Sequence, residues 1–289
     1  MAKVTPPREP QSAADYDDRT TAAVKSVLIE VGQVLGSFRG KFAIIGGAVP
    51  WLLLDNEEMP HVGSMDVDIS LDAKALGDGE YATLVETLMA NGYEQRAGFR
   101  RFQLARTVAV PDGGPPIDVV VDFLMPREVD IVKNSPPLVP DFAAQKTDGA
   151  ELATNFYQFI AIEGSMPDGG PNRIEIAVCS IPALLAMKGH ALQNRLKQKD
   201  AYDIYYCVRN FEGGAEALAA ACRPLLKHES AQRGYRFIAE KFDHVDGYGP
   251  DRVRRFVRET DALGDRTEQQ WQQDAFGQID AWLRALGLR

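Results

Sequence analysis

Asp66 and Asp68 stand two residues apart in Ser64-Met65-Asp66-Val67-Asp68-Ile69-Ser70-Leu71, a stretch that alternates polar and apolar side chains. On an extended strand this spacing sends both carboxylates to one face, ~6.5–7 Å apart along the backbone. Two like charges so placed are stabilised by a cation between them. A hard ion such as Mg2+ takes oxygen ligands and commonly shares them with substrate phosphates. Paired acids on the open face of an antiparallel strand are also ordinary, so the pair alone does not decide the chemistry.

A second alternating stretch, Ile117 to Leu124, places Asp118, Val120 and Asp122 on one face. A neighbouring strand of this kind would bring a third carboxylate beside the first two. Asp118 and Asp122 are ~13 Å apart along a strand, too far for both to serve a metal pair ~3.5–4 Å wide, so one is a bystander. Gly46-Gly47 ends a strand-like run and precedes a short apolar helix. Glycines there let a phosphate approach the backbone, although a tight turn would use the same residues.

The elements that must position these groups follow from periodicity. Asp18 to Phe38 has helical apolar spacing, 41–45 reads as a strand, and 48–54 as a short buried helix. Met65 to Leu71 is the acidic strand, and Leu76 to Asn91 an amphipathic helix stopped by Gly92. Strands are expected at 100–105, 117–124, 156–162 and 173–178, with Pro/Gly loops at 111–115 and 167–171. Beyond Pro182 the pattern is helical over 182–210, 214–226, 230–242, 250–262 and 268–286. The expected fold class is α+β: a mixed sheet with flanking helices over 18–180, followed by a helical part over 181–289. The proline-rich, polar residues 1–17 read as a flexible leader.

On the expected helix from Pro182, Lys188 and Arg195 share a face with Leu184 and Ala191. Cations on an apolar stripe suit a phosphate, or they snorkel out of a packed face. If the helix ran straight to 210, Asp200 would point ~160° away from Leu184. A catalytic Asp200 therefore requires a break near Leu196–Lys199.

Bulk properties narrow the class. No apolar run approaches the ~20 residues that cross a bilayer. The three cysteines, Cys179, Cys207 and Cys222, are widely spaced and form no C-x-x-C pair, which suits a reducing, cytoplasmic setting. A formal net charge of −9 argues against a generic nucleic-acid binder. The charge is uneven: residues 1–179 carry 15 basic and 26 acidic side chains, residues 180–289 carry 17 and 15. A polyanion would therefore meet a local basic surface in the second part, or the balance is that of a mixed solvated helical surface.

Taken in order, Ile44-Ile45-Gly46-Gly47-Ala48, Ser64-Met65-Asp66-Val67-Asp68 and Val121-Asp122-Phe123 resemble the polymerase-β-like nucleotidyltransferase superfamily. Met187-Lys188, Arg195 and Lys199-Asp200-Ala201-Tyr202-Asp203-Ile204-Tyr205 resemble the second half of one branch, the AbiEii-type toxins of type IV toxin–antitoxin and abortive-infection systems. The similarity spans about residues 40–210. The lead into the acidic pair departs from it, reading His61-Val62-Gly63-Ser64 where the family often has Arg-x-Thr.

The resemblance implies transfer of a nucleoside monophosphate from an NTP to an acceptor, either a tRNA or other RNA end or a protein. It implies two Mg2+ ions (or Mn2+) on Asp66, Asp68 and Asp122, and phosphate contacts from Gly46, Gly47, Ser64, Lys188 and Arg195. Lys188 and Asp200 would join the catalytic set, and a cognate antitoxin would be a partner. A small-molecule nucleotidyltransferase of the antibiotic-modifying kind and a non-catalytic nucleotide-binding protein are the alternatives.

Overall fold

The computed structural model describes residues 10, 12–54, 56–77, 79–109, 113–129, 143–258 and 264–289. The chain divides into two compact units. One is built from Asp18–Ala48 and Gly63–Cys179, the other from Ser180–Arg289 together with Val49–Val62 and residues 12–17. The chain passes from one unit to the other between Cys179 and Ser180, and the excursion Val49–Val62 also belongs to the second unit.

In the first unit, helix α1 (Asp18–Val34) is followed by β1 (Phe42–Ile45) and, after α2 (Ala48–Leu53), which belongs to the second unit from Val49 on, by β2 (Asp66–Leu71), α3 (Glu80–Ala90), β3 (Tyr93–Glu94), β4 (Gln103–Val108) and β5 (Ile117–Pro126). Then come β6 (Gln145–Thr147), α4 (Ala150–Asn155), β7 (Tyr157–Ser165) and β8 (Pro171–Cys179). The strands form one mixed sheet in the order β3-β4-β5-β2-β1-β8-β7, with β6 paired to β5. β2 is therefore central, antiparallel to β1 and parallel to β5.

The period of two explains its two faces: Val67, Ile69 and Leu71 are fully buried, while Asp66 and Asp68 are half-buried. Ser70, on the acidic face, is covered by α4 and donates its hydroxyl to the Ala150 carbonyl at 3.1 Å. Helix α1 is fixed to the sheet by Arg106 of β4, whose guanidinium grips Glu30 through two bonds of 2.9 and 3.0 Å. The short elements β3, β6 and α4 have no expected counterpart; the two or three residues of β3 and β6 carry no repeat of a strand's period. Of the 111–115 loop, residues 111 and 112 lie outside the described residues.

The second unit contains α5 (Ile181–Asn194), α6 (Gln198–Asn210), α7 (Gly214–Cys222), α8 (Glu229–Lys241), α9 (Tyr248–Val257) and α10 (Glu268–Leu286). The single helix expected over 182–210 is two. Arg195 is extended at φ −145°, ψ 164°, and Lys197 caps the next helix. Of the expected 250–262 helix, residues 259–262 lie outside the described residues. Residues 1–9 and 11 of the expected leader also lie outside them, whereas Ala13–Asp15 form a 3-10 turn and Tyr16 packs edge-on against Phe256 at 6.0 Å. Val49–Val62 is tied into this unit by Asn56, which donates to Asn210 at 2.6 Å.

Helices α5 and α8 cross through glycines. A Cβ at Gly189 would overlap the Gly234 carbonyl, and one at Gly234 would overlap the Ala186 carbonyl. Both obstacles are backbone and cannot swing aside. Gly234→Ala should therefore destabilise the protein by about 2–3 kcal/mol despite alanine's better helix propensity. Gly277 in α10, exposed and with open space around it, provides the contrast. Gly277→Ala should stabilise by about 0.5–1 kcal/mol, and urea midpoints of the two variants should move in opposite directions.

Candidate active site

The acidic face of β2 is where the expected carboxylates collect. In the parallel β2–β5 register Asp68 is the direct partner of Asp122, so the two side chains leave one face of adjacent strands, ~4.8 Å apart at the backbone. Asp66 lies two residues along β2 on the same face. Ser64 donates its hydroxyl to Asp66 Oδ1 at 2.9 Å. On the other side of Asp68, β1 ends at its partner Ile45, and Gly46 turns away with φ +75°. A Cβ at Gly46 would overlap Asp68 Oδ2, so glycine is required there both for the left-handed backbone and for room beside the carboxylate.

Asp118 is placed elsewhere. It is exposed at the start of β5, paired with Arg96 and accepting from the Thr107 hydroxyl at 2.7 Å. Asp122 instead accepts from Gln103 Nε2 at 3.0 Å, across the β4–β5 ladder.

Among the described residues, no group of three or more His, Cys, Asp or Glu side chains is arranged to hold a metal ion by itself. Mg2+ seldom has such an all-protein cage; it takes one or two carboxylates and completes its octahedron with water and substrate phosphate. The Asp68–Asp122 pair, with Asp66 alongside, has the hard oxygen donors that such a shared ion requires.

The helical unit holds a second charged constellation, made possible by the interruption between α5 and α6. Lys188 of α5 is buried and donates to Asp200 Oδ1 at 2.8 Å, while its ammonium lies 2.7 Å from Asp203 Oδ2. Arg195, in the interruption itself, grips Asp200 through two bonds of 2.7 and 2.9 Å. Lys199 bonds Asp203 at 2.8 Å, and His61 Nε2 lies 3.0 Å from the same oxygen. The break that a functional Asp200 required is present, and it turns Asp200 toward Lys188. Lys188 and Arg195, expected to face phosphate, are both engaged with carboxylates in this structure.

The electrostatics of the cluster follow from burial and charge count. Burial pushes the Asp200 carboxyl up, but Lys188 and Arg195 outweigh it and hold the group at about 2. Asp203 is likewise held well below the usual carboxylate range, with burial opposed by Lys188, Lys199 and His61. Burial lowers Lys188, yet the two aspartates prevail and raise it above its ordinary value. For Lys199 burial wins and the ammonium is lowered. Burial and the Lys199 charge drop His61 to about 4 against the pull of Asp203. His61 is thus neutral at pH 7, and since ionised Asp203 can only accept, Nε2 carries the proton.

A pH dependence follows. Below pH 6.5 the unfolded chain protonates this imidazole and the folded one refuses the proton until about pH 4. Stability contributed by neutral His61 is therefore present above 6.5 and falls by about 3 kcal/mol as pH drops through that window. Denaturation of wild type and His61→Gln between pH 7 and 4.5 checks this; the variant should show a visibly shallower decline.

Gln103, Asp203, Lys199 and His61 escaped assignment from the sequence. Asp203 had a usable signal, being three residues from Asp200 and hence on the same helical face. The lone His61, 142 residues from its partner, had none.

No curated protein matches the chain. The family model described as "Nucleotidyl transferase AbiEii toxin, Type IV TA system" matches residues 60–281. The match contains Ser64, Asp66, Asp68 and Asp122 and the whole Lys188–Asp203 constellation, and it begins after Gly46-Gly47. Among the described residues no helix is long and apolar enough to cross a membrane. With three-quarters of its length matched, the chain belongs to the AbiEii family, the nucleotidyl transferase toxins of type IV toxin–antitoxin systems.

Proposed function

We propose that this protein transfers a nucleoside monophosphate from an NTP to the end of an RNA, of which tRNA is the leading candidate, using Mg2+ (or Mn2+) held at Asp66, Asp68 and Asp122. The observation that carries the reading is the direct pairing of Asp68 with Asp122 on adjacent parallel strands, with the Asp68 carboxylate packed against Gly46. When bound, two such ions neutralise the triphosphate and lower the pKa of an acceptor hydroxyl.

The residues of the chain then have separable tasks. Asp66 and Asp68 would hold the ions beside the triphosphate. Asp122 would help hold the ion on the acceptor side and help draw the proton from the acceptor hydroxyl. The acceptor oxygen bonds to the α-phosphorus, the bond from that phosphorus to the bridging oxygen breaks, and pyrophosphate leaves. Gly46, Gly47 and the Ser64 hydroxyl contact phosphate oxygens. In the helical unit, Asp200 is ionised and Lys188 and Arg195 are cationic, the charge states that their expected roles, catalysis for Lys188 and Asp200 and phosphate binding for Lys188 and Arg195, require. A cognate antitoxin would silence the activity in the cell.

The test is incubation of the purified chain, and of its Asp66→Ala/Asp68→Ala variant, with Mg2+, each labelled NTP in turn and total bacterial RNA. Metal-dependent label in RNA that disappears in the variant supports the proposal and names the base. Label only in protein or in a small molecule reassigns the acceptor. Nucleotide binding without transfer to any acceptor overturns the enzymatic reading in favour of a non-catalytic one.

A further inference from the structure

An amide side chain also meets the acidic face. Gln103 opens β4 and is the cross-strand partner of Asp122. Its amide is used at both ends: Nε2 donates to Asp122 Oδ1 at 3.0 Å, and Oε1 accepts the Arg100 backbone N–H at 2.9 Å. The second bond removes the usual ambiguity of an amide. A backbone N–H can only donate, so the oxygen must face Arg100 and the NH2 must face Asp122.

The turn that carries this amide is itself held. The Gln103 N–H bonds the Arg100 carbonyl at 3.1 Å, and the Phe123 N–H bonds the Phe102 carbonyl at 3.0 Å. Gln103 is half-buried. It therefore presents a donor to one chosen oxygen of one carboxylate from a backbone anchor that is already fixed.

We infer that Gln103 is a positioning residue: it binds Asp122 Oδ1 and thereby turns Oδ2 toward the ion shared with Asp68. The inference rests on the metal-dependent reading proposed above. Groups that hydrogen-bond a ligating carboxylate fix its rotation and favour its ionised form, and their removal typically weakens metal affinity by about 10- to 100-fold. A side chain that only stitched β4 to β5 would contribute to stability and leave metal affinity alone.

The experiment is Mn2+ binding to the full-length protein without nucleotide, read by the loss of the free-ion electron paramagnetic resonance signal. It compares wild type, Gln103→Ala, Gln103→Glu and Asp68→Asn, with thermal melts of each. The expected result is Mn2+ binding that Asp68→Asn removes and Gln103→Ala weakens at least about tenfold, with a melting temperature near wild type. Gln103→Glu replaces the donor with a carboxylate that can only accept, and should weaken binding similarly at pH 8.

Wild-type affinity in Gln103→Ala, while Asp68→Asn is dead, overturns the role of Gln103 and leaves the metal site standing. If Gln103→Ala proves unfolded, Gln103→Glu decides: unchanged Mn2+ affinity in that variant at pH 8 overturns the role. No Mn2+ binding by wild type overturns the metal reading, and this inference with it.

Discussion

An Asp203→Asn variant will be less stable than wild type by about 3–5 kcal/mol, the range for removing one partner of a buried ion pair. Asp203 has no solvent exposure and faces Lys188, Lys199 and the ring of His61. With it, three cations (Lys188, Arg195 and Lys199) are set against two carboxylates; without it, the same three meet Asp200 alone. Arg195 is half exposed and tolerates the imbalance, but Lys188 and Lys199 are buried. Lys199 is the weaker of the two, because burial already lowers its pKa.

Removing that cation as well should recover part of the loss. The double variant Asp203→Asn/Lys199→Met is expected to be more stable than Asp203→Asn alone, a non-additivity of about 1–3 kcal/mol. Urea denaturation of the four chains measures it. A change below about 1 kcal/mol for Asp203→Asn, smaller than any buried charge imbalance produces, would show that water reaches the cluster.

Asp68→Asn is the second large effect, and it has the opposite signature. The substitution keeps the shape of the side chain and removes a charge from a face where Asp66 and Asp122 are its neighbours. Relief of like-charge repulsion predicts a melting temperature equal to or above that of wild type. Nucleotidyl transfer should nevertheless fall by about 1,000-fold, since losing one ligand of a catalytic ion removes several kcal/mol of transition-state stabilisation. Initial rates of label transfer at saturating Mg2+, together with a melt, provide both numbers. Activity within tenfold of wild type would exclude Asp68 as a metal ligand. Reduced activity accompanied by unfolding would be the structural outcome that the half-buried position does not predict.

Much of this was legible residue by residue. Alternation with a period of two is a local property, so Met65 to Leu71 announced a strand with its acids on one face. The helical spacing of the last hundred residues did the same for the second part, and Glu268–Leu286 is one helix with the expected ends. The acids themselves, and the glycines beyond β1, could be named as candidates from residue type and order alone.

What stands beside what could not be read locally. Asp122 meets Asp68 because β5 lies parallel to β2, a pairing across more than fifty residues that no window of sequence contains. The choice between Asp122 and Asp118 is a matter of register, and Arg96 and Thr107 occupy Asp118. The interruption after Asn194 has no Gly or Pro to mark it: Asn194-Arg195-Leu196-Lys197-Gln198 is a passable helix by propensity. There the tertiary structure prevails, because an extended Arg195 can grip Asp200, and Asp200 can turn to Lys188, only if the helix stops. Gln103 and His61 were likewise ordinary residues until the fold gave each a carboxylate. Secondary structure here follows from periodicity along the chain, whereas the charged clusters follow from strand register and helix breaks, whose energies depend on partners far away in sequence.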